Sequence, residues 1–414
     1  MTVETTVVAH ALQLFRQGRM AEALPVLESL LADGNTPLPC ILALADAREA
    51  TGDAAGAVRL LTALHDAMPQ PDFALALAAA LQRAGDRLAL DATLPGLRNA
   101  HPADQRLAAL HAEHLLKRGD FADGFDLLPA RWSISGGTAM THALPCPEWD
   151  GTPFPGRLLV GTEQGLGEVV LWSSMLADLV RLGQKTLVAC DARLLALFRR
   201  SFPPIEFADA AGTPLQEPGK NLTNRRIESA DLGRLFRRSA GDFPQAARGW
   251  LVADPARTAA LRDAYRQRFP GKRLVGLSWC SHRPLRNESK DIPLADLTQL
   301  QQQDTVCVSL QYGDVAGDIA LLRAHGLPVH VDPDIDITRD VDGSCALAGA
   351  LDEVISCSNT MAHLAGALGR PVQLLLPGPR YVLWYWGYEG TTTPWYPSMR
   401  IRRGPGPVGS DTSP

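Results

Sequence analysis

The sequence predicts an α + α/β chain: an N-terminal array of helical hairpins followed by a two-lobed module of parallel sheets. Three observations carry this reading. A glycine recurs at a helical-repeat period in the first third, a Gly/Pro-rich connector then changes the pattern, and short apolar strands alternate with helical segments from there onward. The 414 residues exceed what one hydrophobic core sustains and suit several domains.

Gly18, Gly52, Gly85 and Gly119 stand 34, 33 and 34 residues apart, and Asp53, Asp86 and Asp120 follow three of them. A period near 34 is that of a two-helix unit. The glycine falls where the first helix of each pair turns into the second. Ala23, Ala57 and Gly124 come five residues later, where paired helices approach closely, and Leu90 breaks that rule. Pro69 and Pro102 lie 17 residues after their glycines, at the end expected for the second helix, and Asn35 takes that place in the first unit. Leu42, Ala45 and Ala47 before one turn, and Val58, Leu61 and Leu64 after it, have the spacing of packed helices. Residues ~5–132 resemble tetratricopeptide repeats. Pro95 and Pro129 fall inside expected second helices, which predicts bent or degenerate later units.

The connector runs from Gly136-Gly137 through Pro145-Cys146-Pro147-Glu148-Trp149-Asp150-Gly151. Beyond it, Arg157-Leu158-Leu159-Val160-Gly161 reads as a strand, a glycine-bearing loop follows, a helix is expected over 168–182 and closes at Gly183, and Thr186-Leu187-Val188-Ala189-Cys190 reads as the next strand. After Pro270-Gly271, strands are expected at 274–279, 306–310, 329–331, 354–356 and 372–376. The implied division is a helical domain at 1–135, a connector at 136–152, a first lobe at 153–270, a second lobe at 271–403, and a tail at 404–414 whose Gly/Pro/Ser content predicts disorder.

A formal net charge of -5 argues against a broad nucleic-acid-binding face, and the paired arginines are scattered. Seven cysteines form no CxxC pair and read as reduced core residues. No apolar run is long enough to span a bilayer and no signal pattern opens the chain, so a cytoplasmic location is expected.

In open α/β sheets, ligands gather beyond the carboxyl ends of the strands. Two such segments stand out. One is Gly161-Thr162-Glu163-Gln164-Gly165-Leu166-Gly167-Glu168; the other runs from Val354-Ile355-Ser356 through Cys357-Ser358-Asn359-Thr360-Met361-Ala362-His363 to Gly369. In the second, a strand passes directly into a helix that Asn359 or Thr360 can cap, a start that attracts phosphate. With these belong Ser278-Trp279, Asn287-Glu288-Ser289-Lys290-Asp291, Ser309-Leu310-Gln311-Tyr312 and Pro394-Trp395-Tyr396-Pro397. In this order and spacing, residues ~145–403 resemble the bacterial heptosyltransferase-like glycosyltransferases, a family with the two-lobed GT-B fold.

The resemblance implies an inverting transferase that needs no metal or other cofactor, with the acceptor on the first lobe and a nucleotide-sugar donor on the second. Glu168 stands where the family carries an aspartate base, and is otherwise a carboxylate favouring a helix dipole. Lys290 is a candidate for screening the departing diphosphate or else a surface residue, and Ser278, Asn359 and Thr360 are candidate donors to it. Ser358 replaces an acidic residue at the same site. His363 reads either as a phosphate or ribose contact or as a buried support, and Trp279 and Gln311 as nucleotide contacts or as strand-end packing. The acidic run Asp332-Pro333-Asp334-Ile335-Asp336 reads as a loop and not as a metal site. Repeats before a transferase point to a protein acceptor or partner. The alternatives are a lapsed transferase that serves as a scaffold, and sugar transfer to an envelope glycan.

Overall fold

The computed structural model describes residues 3–34, 36–134, 141, 144, 146–163, 165–211, 224–281, 290–300, 304–376 and 382–404. Asn35, Gln164, residues 136–137, residues 282–289 and those from 405 onward therefore lie outside the described residues. The chain divides into two compact units, Met1–Glu113 with Ser133–Ser135, and His114–Trp132 with Gly136–Pro414.

The first unit holds α1 (Val3–Arg16), α2 (Met20–Ala32), α3 (Leu38–Ala50), α4 (Ala54–Ala67), α5 (Pro71–Ala84), α6 (Arg87–Ala100) and most of α7 (Gln105–Arg118); α8 (Phe121–Leu127) belongs to the second. The Gly-Asp repeat has a physical division of labour. Gly18, Gly52, Gly85 and Gly119 take φ of 73°, 99°, 71° and 93°, which turns the chain. The aspartate then caps the next helix: Asp53 accepts from Gly56 N at 2.8 Å and Asp86 from Ala89 N at 3.0 Å. Asp120 makes no such bond. The small residues mark close approach, since a Cβ on Gly124 would lie 2.7 Å from Leu116 Cγ. Helix α6 runs through Pro95 without a break. Around Pro129 the chain does tighten, from α8 into a 3₁₀ turn at Leu128–Ser133.

In the second unit, β1 (Leu158–Gly161), β2 (Thr186–Cys190), β3 (Glu206–Asp209) and β4 (Arg225–Glu228) form a parallel sheet in the order β3-β2-β1-β4. A second parallel sheet, in the order β10-β9-β8-β5-β6-β7, contains β5 (Arg273–Ser278), β6 (Thr305–Ser309), β7 (Val329–His330), β8 (Glu353–Ser356), β9 (Val372–Leu376) and β10 (Met399–Arg403). The fold class is the one expected: helical hairpins, then a two-lobed, double Rossmann-like module. Every residue of β1 and β2 is buried, as in sheets covered on both faces.

Three strands escaped the sequence reading. The charged letters of β4 (Arg225-Arg226-Ile227-Glu228) and β10 (Met399-Arg400-Ile401-Arg402-Arg403) hide edge strands, and β3 is short. The single helix expected over 168–182 is three pieces: α9 (Leu166–Trp172), a 3₁₀ turn at Ser173–Met175, and a helix at Leu176–Arg181. At the break, Ser173 Oγ donates back to Val170 O at 2.7 Å.

The chain passes between the lobes over the end of the helix Thr360–Ala367. There, Trp250 N and Leu251 N both donate to Ala367 O, at 2.8 and 3.0 Å. Gly249 and Gly369 bring backbone against backbone at this crossing, where an added Cβ on either would collide with main-chain atoms.

Candidate functional site

Strand order reverses between β1 and β4 in the first sheet and between β5 and β8 in the second, the switch points at which open α/β sheets hold ligands. A cavity of about 810 Å³ lies there, with α9 on one wall and the start of the helix Thr360–Ala367 on the other. Gly167 permits the two helices to meet, because a Cβ at that position would lie 2.7 Å from His363 Cδ2. Glu168, Lys290, Ser358, Asn359, Thr360 and His363, all expected at the site, line this cavity.

Glu168 projects from the first turn of α9, and its Oε1 accepts from the Tyr385 hydroxyl at 3.2 Å. Ahead of α9, Glu163 is anchored within the first lobe. That carboxylate pairs with Arg131 Nη2 at 2.6 Å and accepts from Ala230 N at 3.1 Å, while Arg131 also reaches Asp231 at 2.7 Å. Burial pushes the Glu163 carboxyl above its ordinary range, against the pull of Arg131. Lys290 follows a closure in which Ser281 N donates to Asp291 Oδ1 at 2.8 Å and Ile292 N to Trp279 O at 2.8 Å.

Asn359 is the helix cap, one of the two candidates for it, and its side chain is fully engaged within the protein. Its Oδ1 accepts from Met361 N (3.0 Å), Ala362 N (3.4 Å) and Ser356 Oγ (3.0 Å), and its Nδ2 donates to Ser278 Oγ (2.8 Å) and Cys280 O (3.1 Å). The amide therefore ties β8, β5 and the helix start together, and two amides of that start are already engaged. Ser278, expected as a donor to the diphosphate, and Trp279 and Gln311, read as nucleotide contacts or as strand-end packing, do not line the cavity. They are buried beneath it. Gln311 Oε1 accepts from Trp279 N at 2.7 Å and Cys280 N at 2.9 Å, its Nε2 donates to Cys280 O and Tyr312 O, and Trp279 Nε1 donates to Asp318 at 2.7 Å. Their polar atoms hold the strand ends in place.

His363 is the buried support. Burial, and then the nearby Lys290 ammonium, push it down to about 3, so the ring is neutral at physiological pH. Its Nδ1 pairs with the Tyr396 hydroxyl at 2.8 Å, and its ring stacks on Trp386 with centroids 5.1 Å apart and planes 26° apart. Ser358 accepts from Trp386 Nε1 at 2.9 Å, which engages its hydroxyl within the second lobe.

The cavity also contains Tyr312, named in the sequence only beside Gln311, and Asp191, Arg193, Thr338 and Tyr385, none of them singled out there. Arg193 pairs with Asp191 at 2.8 Å and donates to Thr338 O at 3.2 Å, joining the first lobe to the second. One signal for Tyr385 was available: Trp384-Tyr385-Trp386 concentrates aromatics in a chain with 6% of them. In the acidic run, Asp332 accepts from Tyr265 Oη at 2.6 Å and Asp334 N at 3.0 Å, and Asp336 from Thr338 N at 2.9 Å, so these carboxylates shape turns. Among the described residues no group of three or more His, Cys, Asp or Glu is placed to hold a metal ion, and no helix is long and apolar enough to cross a membrane.

No family model matches the chain. Protein FlbA of Caulobacter vibrioides is 33% identical over 304 residues, covering 69% of this chain and 50% of that protein, so the chain spans half the length of this relative. Among solved structures, the ADP-heptose LPS heptosyltransferase II of E. coli aligns at 14% identity and a TM-score of 0.42, covering 60% of this chain and 90% of that one. A family 9 glycosyl transferase from Veillonella parvula aligns at 12% and 0.43, covering 60% and 86%. A Thermobaculum terrenum O-GlcNAc transferase aligns at 14% and 0.30, covering 91% and 84%. Scores this low carry no argument, and the fold stands on the strand order itself.

Proposed function

We propose that this protein transfers a sugar from a nucleotide-sugar to an acceptor hydroxyl with inversion at the anomeric carbon. The reading rests on one observation: a single cavity at both sheet switch points combines a carboxylate, Glu168, on the first lobe with Lys290 and the Thr360 end of a capped helix on the second. Inversion requires a base on one side of the anomeric carbon and positive charge for the departing diphosphate on the other. In this reading Glu168 takes the acceptor proton. Lys290, Thr360 and the positive end of the helix receive the diphosphate. The acceptor is a protein presented by the helical repeats, whose stacked hairpins offer an extended binding face.

The first test is thermal. A nucleoside diphosphate at 100 times its dissociation constant stabilises the folded state by about 2.7 kcal/mol. UDP, GDP and ADP are each added, and one of them raises the melting temperature; Lys290→Ala shrinks that shift. The second test is transfer of labelled sugar, in which Glu168→Gln keeps the nucleotide-induced shift and lowers turnover roughly 10²–10⁴-fold. Full activity in Glu168→Gln removes the residue from the mechanism. A nucleotide-binding scaffold without turnover is the second reading, favoured by the internal commitment of Ser278, Asn359 and Gln311. Wild-type protein that binds a donor and transfers nothing would decide for it.

A further inference from the structure

Glu168 is one methylene longer than the aspartate of the resembling family, so its carboxylate has an additional rotatable bond with which to miss the acceptor. The Tyr385 hydroxyl bears on this. It reaches Oε1 of Glu168 from the opposite lobe at 3.2 Å, from a side chain that is only 4% exposed. Its ring is fixed on several sides: edge-on to His363 at 5.1 Å, to Trp386 at 4.8 Å and to Trp384 at 5.4 Å. The Tyr385 carbonyl in turn accepts from Thr393 Oγ1 at 3.0 Å. Burial first, and the Glu168 charge second, hold the phenol well above its usual range, so it keeps its proton and acts toward the carboxylate as a donor.

A donor anchored in this way occupies one carboxylate oxygen and leaves the other for the cavity. We infer that Tyr385 is the positioning residue for Glu168, aiming its carboxylate at the acceptor from across the cleft; the inference rests on the base role proposed above. At 3.2 Å the bond is long for O–H···O, as catalytic hydrogen bonds often are before substrate binds. The base is then aimed only while the second lobe, which carries the donor, is in place beside the first.

The test is a double-mutant cycle on transfer by the full chain. Tyr385→Phe keeps the ring and its packing and removes only the hydroxyl. In the wild-type background it lowers kcat roughly 10- to 100-fold, the scale of a misplaced catalytic group. The KM for donor and the nucleotide-induced melting shift stay unchanged. In the Glu168→Gln background it causes no further loss. Equal losses in both backgrounds, an unchanged kcat, or a raised KM at constant kcat would each overturn the inference while leaving the transferase reading intact. Absence of turnover in wild-type protein overturns that reading and takes the inference with it. Should Tyr385→Phe fail to fold, Thr393→Val, which takes the hydroxyl donor from the Tyr385 carbonyl and loosens the ring's anchor, is expected to lower kcat with the melting shift retained; undiminished kcat there also overturns it.

Discussion

His363 is held neutral by its surroundings, and this has a thermodynamic sign. The folded protein resists protonating the ring until about pH 3, whereas in the unfolded chain it protonates near 6.5. Its contribution to stability is therefore present above pH 6.5 and is lost as pH falls toward 3. His363→Phe preserves the stack on Trp386 and removes the titrating group, so its urea midpoint should fall less between pH 6.5 and 4 than that of wild type. Parallel slopes would show that the ring contributes nothing to the acid limb. At this scale the sequence was informative about location and less so about role. Six of the nine expected site residues line one cavity, because strand-to-helix junctions mark sheet switch points whatever the side chains do. Ser278 reads as a ligand contact, and Asn359 and Gln311 stay open between ligand and internal roles, because an amide or hydroxyl looks alike in sequence whether it faces a ligand or a neighbouring strand. Arg193 reaches the cavity only through tertiary folding, which no local pattern announces, and for Tyr385 the cluster Trp384-Tyr385-Trp386 marks the segment without its place.

Two of the helical hairpins use a two-residue device, a glycine that turns the chain and an aspartate, Asp53 or Asp86, that caps the second helix of the pair. Asp86→Ala leaves the turn intact and deprives Ala89 N of its acceptor, which costs about 1 kcal/mol. Urea denaturation followed by circular dichroism should register that loss, and an unchanged midpoint would assign the aspartate to solvent. The recurrence of this device made the repeats readable. Buried parallel strands were readable for a similar reason, since β2 and β9 have the bounds that their apolar runs predict. Edge strands obey weaker rules: β4 and β10 carry arginines that look like loop, and they are strands because a neighbour supplies hydrogen bonds along the whole register. The breaking of the expected 168–182 helix likewise depends on Ser173 turning its hydroxyl to the backbone, a choice that periodicity cannot express.

At the scale of the whole molecule, the sequence reading set the helical domain at 1–135, whereas the compact unit that contains both sheets takes in His114–Trp132. Phe125 packs edge-on against Trp384 of the second lobe at 6.1 Å, and Arg131 neutralises Glu163 and Asp231 of the first. A chain beginning at residue 136 would leave those two buried carboxylates without their cation, and one beginning at residue 104 would keep it. Removing one partner of a buried pair costs roughly 3–5 kcal/mol. The longer version should therefore melt cooperatively, and the shorter should be unfolded or far less stable; equal melting temperatures would make the helical extension dispensable. The crossing at Gly249 and Gly369 bears on how such a chain can change over generations. Both residues have left-handed φ, +71° and +70°, and the backbone beside each fills the space that the other's side chain would need. Single substitutions at either position are closed to drift, so a lineage that keeps this crossing keeps both glycines, although neither lines the cavity.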